Sequence, residues 1–370
     1  MSHYFDYSYD IQRIAAFLIS GPKFEINLTD IYSETGKILH FEGESLITHI
    51  HNMEIHNAPN GSLPICLSQI WFELDLNIMN INISDSNLEA FVIFGSTDNV
   101  RGLRQKSINE LRQSIQDDCF PSNVTLSISD IYMTQSSVGA FLKNQDLLPI
   151  SVNFANFFGQ NFFGGLVSSD TLVYLNVSNI TVQFEMSDPN PIPDSSFVLL
   201  SGTRMEEDGC LSKVWMKDVA ISDINFEVPI LHFEKSQILI ENLYASRLNH
   251  HIIANMSYLD LNNITWKENK NMSIDGGFLA LYNTTCNLTS SKVINNSAWI
   301  GGAIFNDITS NIRIKDSDLL DNYALAYGDN FASIPNLIVL EIYNTDTYSP
   351  LFEQYHNFSA SVVSQTQNLS

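Results

Sequence analysis

The chain has 370 residues, with 18 Lys and Arg against 41 Asp and Glu, which gives a net charge of −23. A hydrophobic content of 44% is too high for a disordered acidic tail, and the few cations exclude a nucleic-acid binder. No apolar run reaches the roughly 18 residues of a spanning helix, so we predict no transmembrane segment in this chain.

The N-terminal region does not resemble a secretory signal. Acidic residues stand where such a signal carries positive charge, and the apolar stretch 14–19 is short, so we predict no signal peptide. The four cysteines, Cys66, Cys119, Cys210 and Cys286, are far apart and form no CxxC pair. We interpret them as buried free thiols and predict neither a metal site nor a cofactor.

One pattern recurs along the chain: three apolar positions at alternate residues are followed by Asn, Asp or Ser, which we call the anchor. The anchors are Asp30, Asn52, Asn80, Asp130, Asn156, Asn179, Asp218, Asn242, Asn263, Ser290, Asp316 and Asn344. Most neighbouring anchors are 21 to 28 residues apart. The alternation indicates strands with one buried face, and this repeat length is typical of β-solenoids.

Two further strands are predicted for each repeat. A short strand follows most anchors, and another strand usually lies 10 to 15 residues before the anchor. These preceding strands are predicted at 38–42, 63–67, 90–95, 139–143, 164–168, 197–201, 229–234, 251–255, 277–282, 302–306 and 330–334. We therefore predict an all-β fold, a right-handed parallel β-helix of about twelve three-strand coils. It forms one domain over 1–350, and 351–370 is a C-terminal tail or a truncated continuation.

The anchors have the same parity as the buried positions, so their side chains are expected to point inward at a turn. There, Asn can adopt left-handed backbone angles and hydrogen-bond to the Asn of the next coil. We interpret the anchors as a structural ladder rather than as ligands. On this interpretation Asn179 and Asn263 are buried.

Glycine pairs mark the segment 257–335. Gly276, Gly301 and Gly328 are separated by 25 and 27 residues, and Gly301 begins the run Gly-Gly-Ala-Ile. This segment resembles the N-x-A…G-G-A-I repeat of the polymorphic outer-membrane protein family, whose fold is a pectin-lyase-like β-helix. The ending 326–335 resembles the long β-helix surface proteins of ciliated protozoa. The family's FxxN motif is largely missing and no autotransporter barrel follows, so the resemblance does not imply bacterial-style export.

Two long separations between anchors carry insertions. The first, 97–121, places Ile108, Leu111 and Ile115 on one helical face, which predicts a short amphipathic helix against the side of the solenoid. The alternative interpretation is that its four cations form a local contact with an anion. The second insertion, 187–196, has three prolines and is predicted to be a rigid loop.

Three short motifs resemble the catalytic motifs of polygalacturonases, which are β-helix enzymes. Asp117-Asp118, Arg313-Ile314-Lys315 and Asn344-Thr345-Asp346 occur in the wrong order, and no G-H-G accompanies them. We interpret them as chance matches.

The pentapeptide Ile-Leu-His-Phe-Glu occurs twice and pairs His40 with Glu42 and His232 with Glu234. Each pair could support acid/base chemistry. However, six coils separate the copies by about 29 Å, which is too far for one site. We therefore predict no catalytic, cofactor-binding or metal-binding residues.

The remaining signals concern surfaces. The larger outward groups are Tyr174, Lys213, Trp215, Tyr258 and Arg313. The aromatic residues among them could stack on sugars, but they lie on different coils, and scattered exposed aromatics usually need no functional explanation. Fourteen N-x-S/T sequons are typical of a glycosylated ectodomain. We predict a non-catalytic extracellular or cell-surface scaffold or adhesion-type protein, whose partner is a carbohydrate or another surface protein. The alternative is a polysaccharide lyase or glycoside hydrolase of the pectin-lyase-like class.

Overall fold

The structure is a computed structural model that describes residues 17–36, 38–68, 73–94, 124–144, 149–183, 196–201, 210–224, 228–333, 337–342 and 358–363. Every secondary-structure element within these ranges is a β-strand. The strands are β1 (Phe17–Ser20), β2 (Lys23–Ser33), β3 (Leu39–Glu42), β4 (Ser45–His56), β5 (Ile65–Ser68), β6 (Glu73–Ser84), β7 (Asn87–Phe94), β8 (Val124–Asn144), β9 (Ile150–Ser169), β10 (Val173–Gln183), β11 (Val198–Leu200), β12 (Ser212–Ser222), β13 (Leu231–Glu234), β14 (Ser236–Ser246), β15 (Ile252–Asn255), β16 (Tyr258–Asn262), β17 (Thr265–Lys267), β18 (Leu279–Tyr282), β19 (Thr285–Thr289), β20 (Lys292–Ile294), β21 (Ser297–Ile300), β22 (Ile304–Asn306), β23 (Asn311–Lys315), β24 (Asp318–Leu320), β25 (Tyr323–Tyr327), β26 (Phe331–Ser333), β27 (Leu337–Ile342) and β28 (Phe358–Val363).

Three parallel ladders run through a sheet of 24 strands. The first ladder joins β2, β4, β6, β8, β9, β10, β12, β14, β16, β19 and β23. The second ladder uses the parts of these strands beyond the anchors and continues through β17, β20 and β24. The third ladder joins β1, β3, β5, β7, β8, β9, β11, β13, β15, β18, β22 and β26.

The hydrophobic core lies between the ladders. Inward residues of all three ladders belong to one cluster, for example Ile50 from the first, Met53 from the second and Phe41 from the third. Trp266, the largest fully buried side chain, donates its indole N–H to the carbonyl oxygen of Gly277 at 3.1 Å. A sheet that is apolar on one side and wraps one core is consistent with the predicted parallel β-helix, and the all-β, parallel-strand prediction is confirmed.

The anchors, however, are exposed, and the prediction that they point inward was wrong. All eleven described anchors have φ between 50° and 57°. This left-handed residue bends the chain and resets the alternation. Ile50, two residues before Asn52, and Met53, one residue after it, are therefore both buried while Asn52 faces solvent. Asn179 and Asn263 are likewise exposed, contrary to expectation.

The anchor side chains nevertheless form the expected hydrogen-bond ladder, on the outside. Each Asn Nδ2–H donates to the Oδ1 atom of the preceding anchor, at 2.7 to 3.1 Å. This outer ladder comprises three runs: Asp30, Asn52 and Asn80; Asp130, Asn156 and Asn179; Asp218, Asn242 and Asn263.

A second Asn ladder is buried. Asn269, Asn296 and Asn322, which we call the inner ladder, are 2%, 1% and 6% exposed. Asn269 donates to Asn296 Oδ1 and Asn296 donates to Asn322 Oδ1, both at 2.9 Å. Asn322 in turn donates to Asn330 Oδ1 at 3.0 Å. All four residues lie in the segment 257–335, which the glycine pairs mark in the sequence.

The described chain changes pairing after β26. β27 pairs with β28 in antiparallel register, whereas the sequence predicted a parallel twelfth strand before Asn344. Asn344, the predicted helix in 97–121 and all of the insertion 187–196 except Ser196 lie outside the described residues.

Candidate functional site

The two Ile-Leu-His-Phe-Glu copies lie on the same ladder but far apart. His40 is on β3 and His232 is on β13, and six strand spacings of the third ladder separate them, about 29 Å. The structure therefore does not bring them into one site. Burial lowers the pKa of His232, and the charge of Glu234 acts in the opposite direction.

His232 has histidine neighbours that the sequence analysis missed. His251 is fully buried, and its ring stacks on that of His250 with centroids 5.7 Å apart. Burial, followed by the charges of His250 and His232, lowers the pKa of His251 to about 3. Within the described part of the chain, its Nδ1 atom has no hydrogen-bond partner. A neutral, buried imidazole of this kind does not suit acid/base chemistry at neutral pH. In the sequence, the His-His dipeptide was the only signal for this histidine pair.

The group of carboxylates that most resembles a functional site lies around Tyr282. Burial raises the pKa of Asp275, and the pKa of Tyr282 is raised by burial and then by Asp275 and Asp307. Asp307 stabilises a turn, because its carboxylate accepts hydrogen bonds from the backbone of Asn283 and the side chain of Thr309. Among the described residues, no three His, Cys, Asp or Glu side chains are grouped so that they could hold a metal ion.

One of the three polygalacturonase-like signals lies within the described residues. Arg313, Ile314 and Lys315 belong to β23, with Ile314 on the inner side. The other two signals, at 117–118 and 344–346, lie outside the described residues.

The first ladder carries an exposed aromatic patch. Tyr174 pairs with Lys213 across adjacent strands, and Trp215 pairs with Leu239. Tyr258 lies one strand further, beside Gln237. The structure thus brings together Tyr174, Lys213, Trp215 and Tyr258 within four successive strands, and it adds Leu239, which the sequence analysis did not select. The exposed fractions of Trp215 and Tyr258 are 43% and 57%.

Arg313 does not belong to this aromatic patch. It lies in the same row as Trp215, but four strand spacings away, about 19 Å. We therefore take the aromatic patch, defined as Tyr174, Lys213, Trp215, Leu239 and Tyr258, as the candidate contact surface of the first ladder.

The cysteines divide into two kinds. Cys66 and Cys286 are thiols, Cys66 half-buried and Cys286 buried. Burial raises the pKa of Cys286 far above its usual range. Cys210 is disulfide-bonded, so the interpretation of all four cysteines as free thiols was wrong for this residue. Cys119 lies outside the described residues.

Comparison with known proteins gives one limited similarity. A protein of Dictyostelium discoideum described as a transmembrane domain-containing protein is 30% identical over 111 residues, which is 28% of this chain. The match covers 7% of that relative's length. No family model and no solved structure matches the chain significantly, so the resemblance to polymorphic outer-membrane proteins stays a prediction. In the described part of the chain, no helix has the length and apolarity needed to cross a membrane.

Proposed function

We propose that this chain is a right-handed parallel β-helix that serves as a non-catalytic extracellular or cell-surface scaffold of the adhesion type. The main support for the proposal is that polar side chains of neighbouring coils hydrogen-bond to one another. The outer and inner ladders use their Asn and Asp side chains in coil-to-coil hydrogen bonds. The ladders explain these residues without any ligand. The described ladders correspond to about eleven coils.

Two further observations favour an extracellular location. A disulfide at Cys210 suits an oxidising compartment, because thiols in the cytosol are kept reduced. The sequon of Asn27 is available for modification, since both Asn27 and Thr29 are exposed on β2. The description of the Dictyostelium relative as containing a transmembrane domain is in line with a membrane-associated context.

The aromatic patch is the surface that we propose for adhesion, with a carbohydrate or another surface protein as the partner. Its exposed rings supply apolar contact area at a low cost in side-chain entropy, as aromatic residues do at many interfaces. Trp215 lies at its centre, between Asn176 and Leu239.

Glycan mapping by mass spectrometry on the protein from its native source tests the location. We expect glycan at Asn27 and a disulfide at Cys210. Absence of glycan from every exposed sequon, together with a reduced Cys210, would contradict an extracellular location.

An assay on acidic polysaccharides in the presence of calcium tests the scaffold role against the enzyme alternative. We expect no product above the level of a heat-denatured sample. Turnover that is lost in Asp275→Asn but retained in Asp316→Asn, an exposed anchor, would overturn the scaffold reading.

A further inference from the structure

The second ladder has an outward surface without any charge over five successive strands. Its first row consists of Asn82, Tyr132, Phe158, Thr181 and Ala220, and its second row of Ser84, Thr134, Gln160, Gln183 and Ser222. We call these ten residues the neutral face. They come from β6, β8, β9, β10 and β12, so residues far apart in sequence become neighbours only through the stack.

The neutral face contrasts with the acidic composition of the whole chain. The chain carries a net charge of −23, yet none of the ten positions holds an Asp, Glu, Lys, Arg or His residue. Charges resume at both ends. Glu54 and His56 occupy the next strand on one side. On the other side, Tyr244 of the next strand lies beside Ala220. The Lys267 ammonium lies 5.5 Å from the ring centroid of Tyr244.

An aromatic platform lies within the neutral face. The rings of Tyr132 and Phe158 stack with centroids 5.2 Å apart and an interplanar angle of 5°. They are 45% and 38% exposed. Because the two rings stack, each covers part of one face of the other, and their exposed parts form an apolar surface. The hydroxyl and amide groups beside them can form hydrogen bonds. This combination suits a ligand that has both apolar faces and hydroxyl groups.

Size and charge argue against a protein or an ionic partner. Four strand spacings make the neutral face about 19 Å long, and its two rows are about 7 Å apart. A stable protein interface needs about 800 Å² per partner, which is several times the area available here. An acidic polymer would find no cation on the neutral face and would be repelled by the net charge.

We propose that the neutral face binds an uncharged polysaccharide chain, with Tyr132 and Phe158 stacking on its sugar rings. This binding site is separate from the aromatic patch, which lies on the first ladder, and does not depend on the proposed scaffold role.

Isothermal titration calorimetry with laminarihexaose and cellohexaose tests the proposal. We expect at least one of these neutral probes to bind, with an affinity that changes less than about twofold between about 0.05 M and 0.5 M NaCl, because no ionic contact is involved. Phe158→Thr and Tyr132→Thr should each weaken binding about tenfold or more. Threonine suits an exposed strand position and already occupies position 181 of the same row.

Tyr323→Thr, at an exposed position of β25 outside both the neutral face and the aromatic patch, is the matched control and should leave the affinity unchanged. Circular dichroism should show that all three variants are folded. The proposal is overturned if neither neutral probe binds at about 10 mM, or if polygalacturonate binds more tightly than both. It is also overturned if sedimentation velocity shows self-association that Phe158→Thr abolishes, because the neutral face would then be an interface between copies of this chain.

Discussion

Asn52 donates its Nδ2–H to Oδ1 of Asp30, 22 residues earlier, at 2.8 Å, and both residues have left-handed backbones with φ of 56° and 54°. The hydrogen bond has a direction, because an ionised Asp accepts but cannot donate. Each described run of the outer ladder accordingly begins with an Asp and continues with two Asn residues. The breaks between runs, after Asn80 and Asn179, coincide with the two long separations in the sequence.

This direction predicts the effect of exchanging Asn and Asp within one run. Asn156→Asp removes the donor to Asp130 and places two carboxylates side by side, so we expect the free energy of unfolding to fall by about 1–2 kcal/mol. Both side chains tolerate the left-handed backbone, so the backbone contribution is unchanged. Urea unfolding measures the change, and added salt should reduce part of it.

Asp130→Asn is the matched control for Asn156→Asp. It keeps the acceptor for Asn156 and adds a donor toward Asn80, so its stability should equal or exceed that of the parent protein. Equal destabilisation by the two exchanges would contradict a directional ladder.

The inner ladder should be far less tolerant. Asn296 is 1% exposed; its side chain accepts two hydrogen bonds from Asn269 and donates to Asn322 and to the carbonyl oxygen of Trp266. Asn296→Ala leaves these buried groups unsatisfied, so we expect a loss of about 3 kcal/mol or more, measured by urea unfolding. Asn311→Ala, at an exposed position of β23, should change stability by less than about 0.5 kcal/mol. Similar values for the two variants would show that the inner ladder is not structural.

The glycine pairs are predicted to act through steric fit between neighbouring repeats. A Cβ atom at Gly277 would lie 2.2 Å from the carbonyl oxygen of Gly302, so Gly277→Ala should push the two repeats apart and cost more than about 2 kcal/mol. Gly61 has a φ of 78° and no atom within 4 Å of its added Cβ. Gly61→Ala should therefore cost only the backbone strain, about 1 kcal/mol. Thermal unfolding that ranks the two variants in the reverse order would refute the steric explanation.

The buried His251 should make the fold sensitive to acid. Its pKa is about 3 in the folded protein, below the ordinary value of 6.5, so the unfolded chain binds a proton first as the pH falls. Stability is then lost progressively between about pH 6.5 and pH 3, by up to about 1.4 kcal/mol per pH unit. Unfolding free energies measured across this range should fall less steeply in His251→Leu.

His49→Leu, on the outward side of β4, is the control for His251→Leu and should keep the acid dependence of the parent protein. An unchanged pH profile in His251→Leu would show that other groups dominate the acid response.

The amino-acid sequence by itself determined the strands and their period. An alternation of mostly apolar residues precedes every described anchor, whether Asn, Asp or Ser. The strands predicted before the anchors correspond to strands of the third ladder, such as β13 and β15. This was possible because strand burial leaves a local signature with a period of two. The hydrogen-bonding role of the anchor side chains is confirmed for the nine anchors of the outer ladder, since Asn and Asp suit left-handed turns.

Only the tertiary structure decided which side of the sheet the ladders occupy. The parity rule placed Asn52 inside, but a left-handed residue rotates the chain and moves its side chain to the surface. The buried polar ladder is formed instead by Asn296 and its neighbours. The neutral face was equally invisible in the sequence, because Tyr132 and Phe158 are 26 residues apart and meet only when two repeats pair in register. Contacts between repeats depend on the register of the stack, and no local pattern records it.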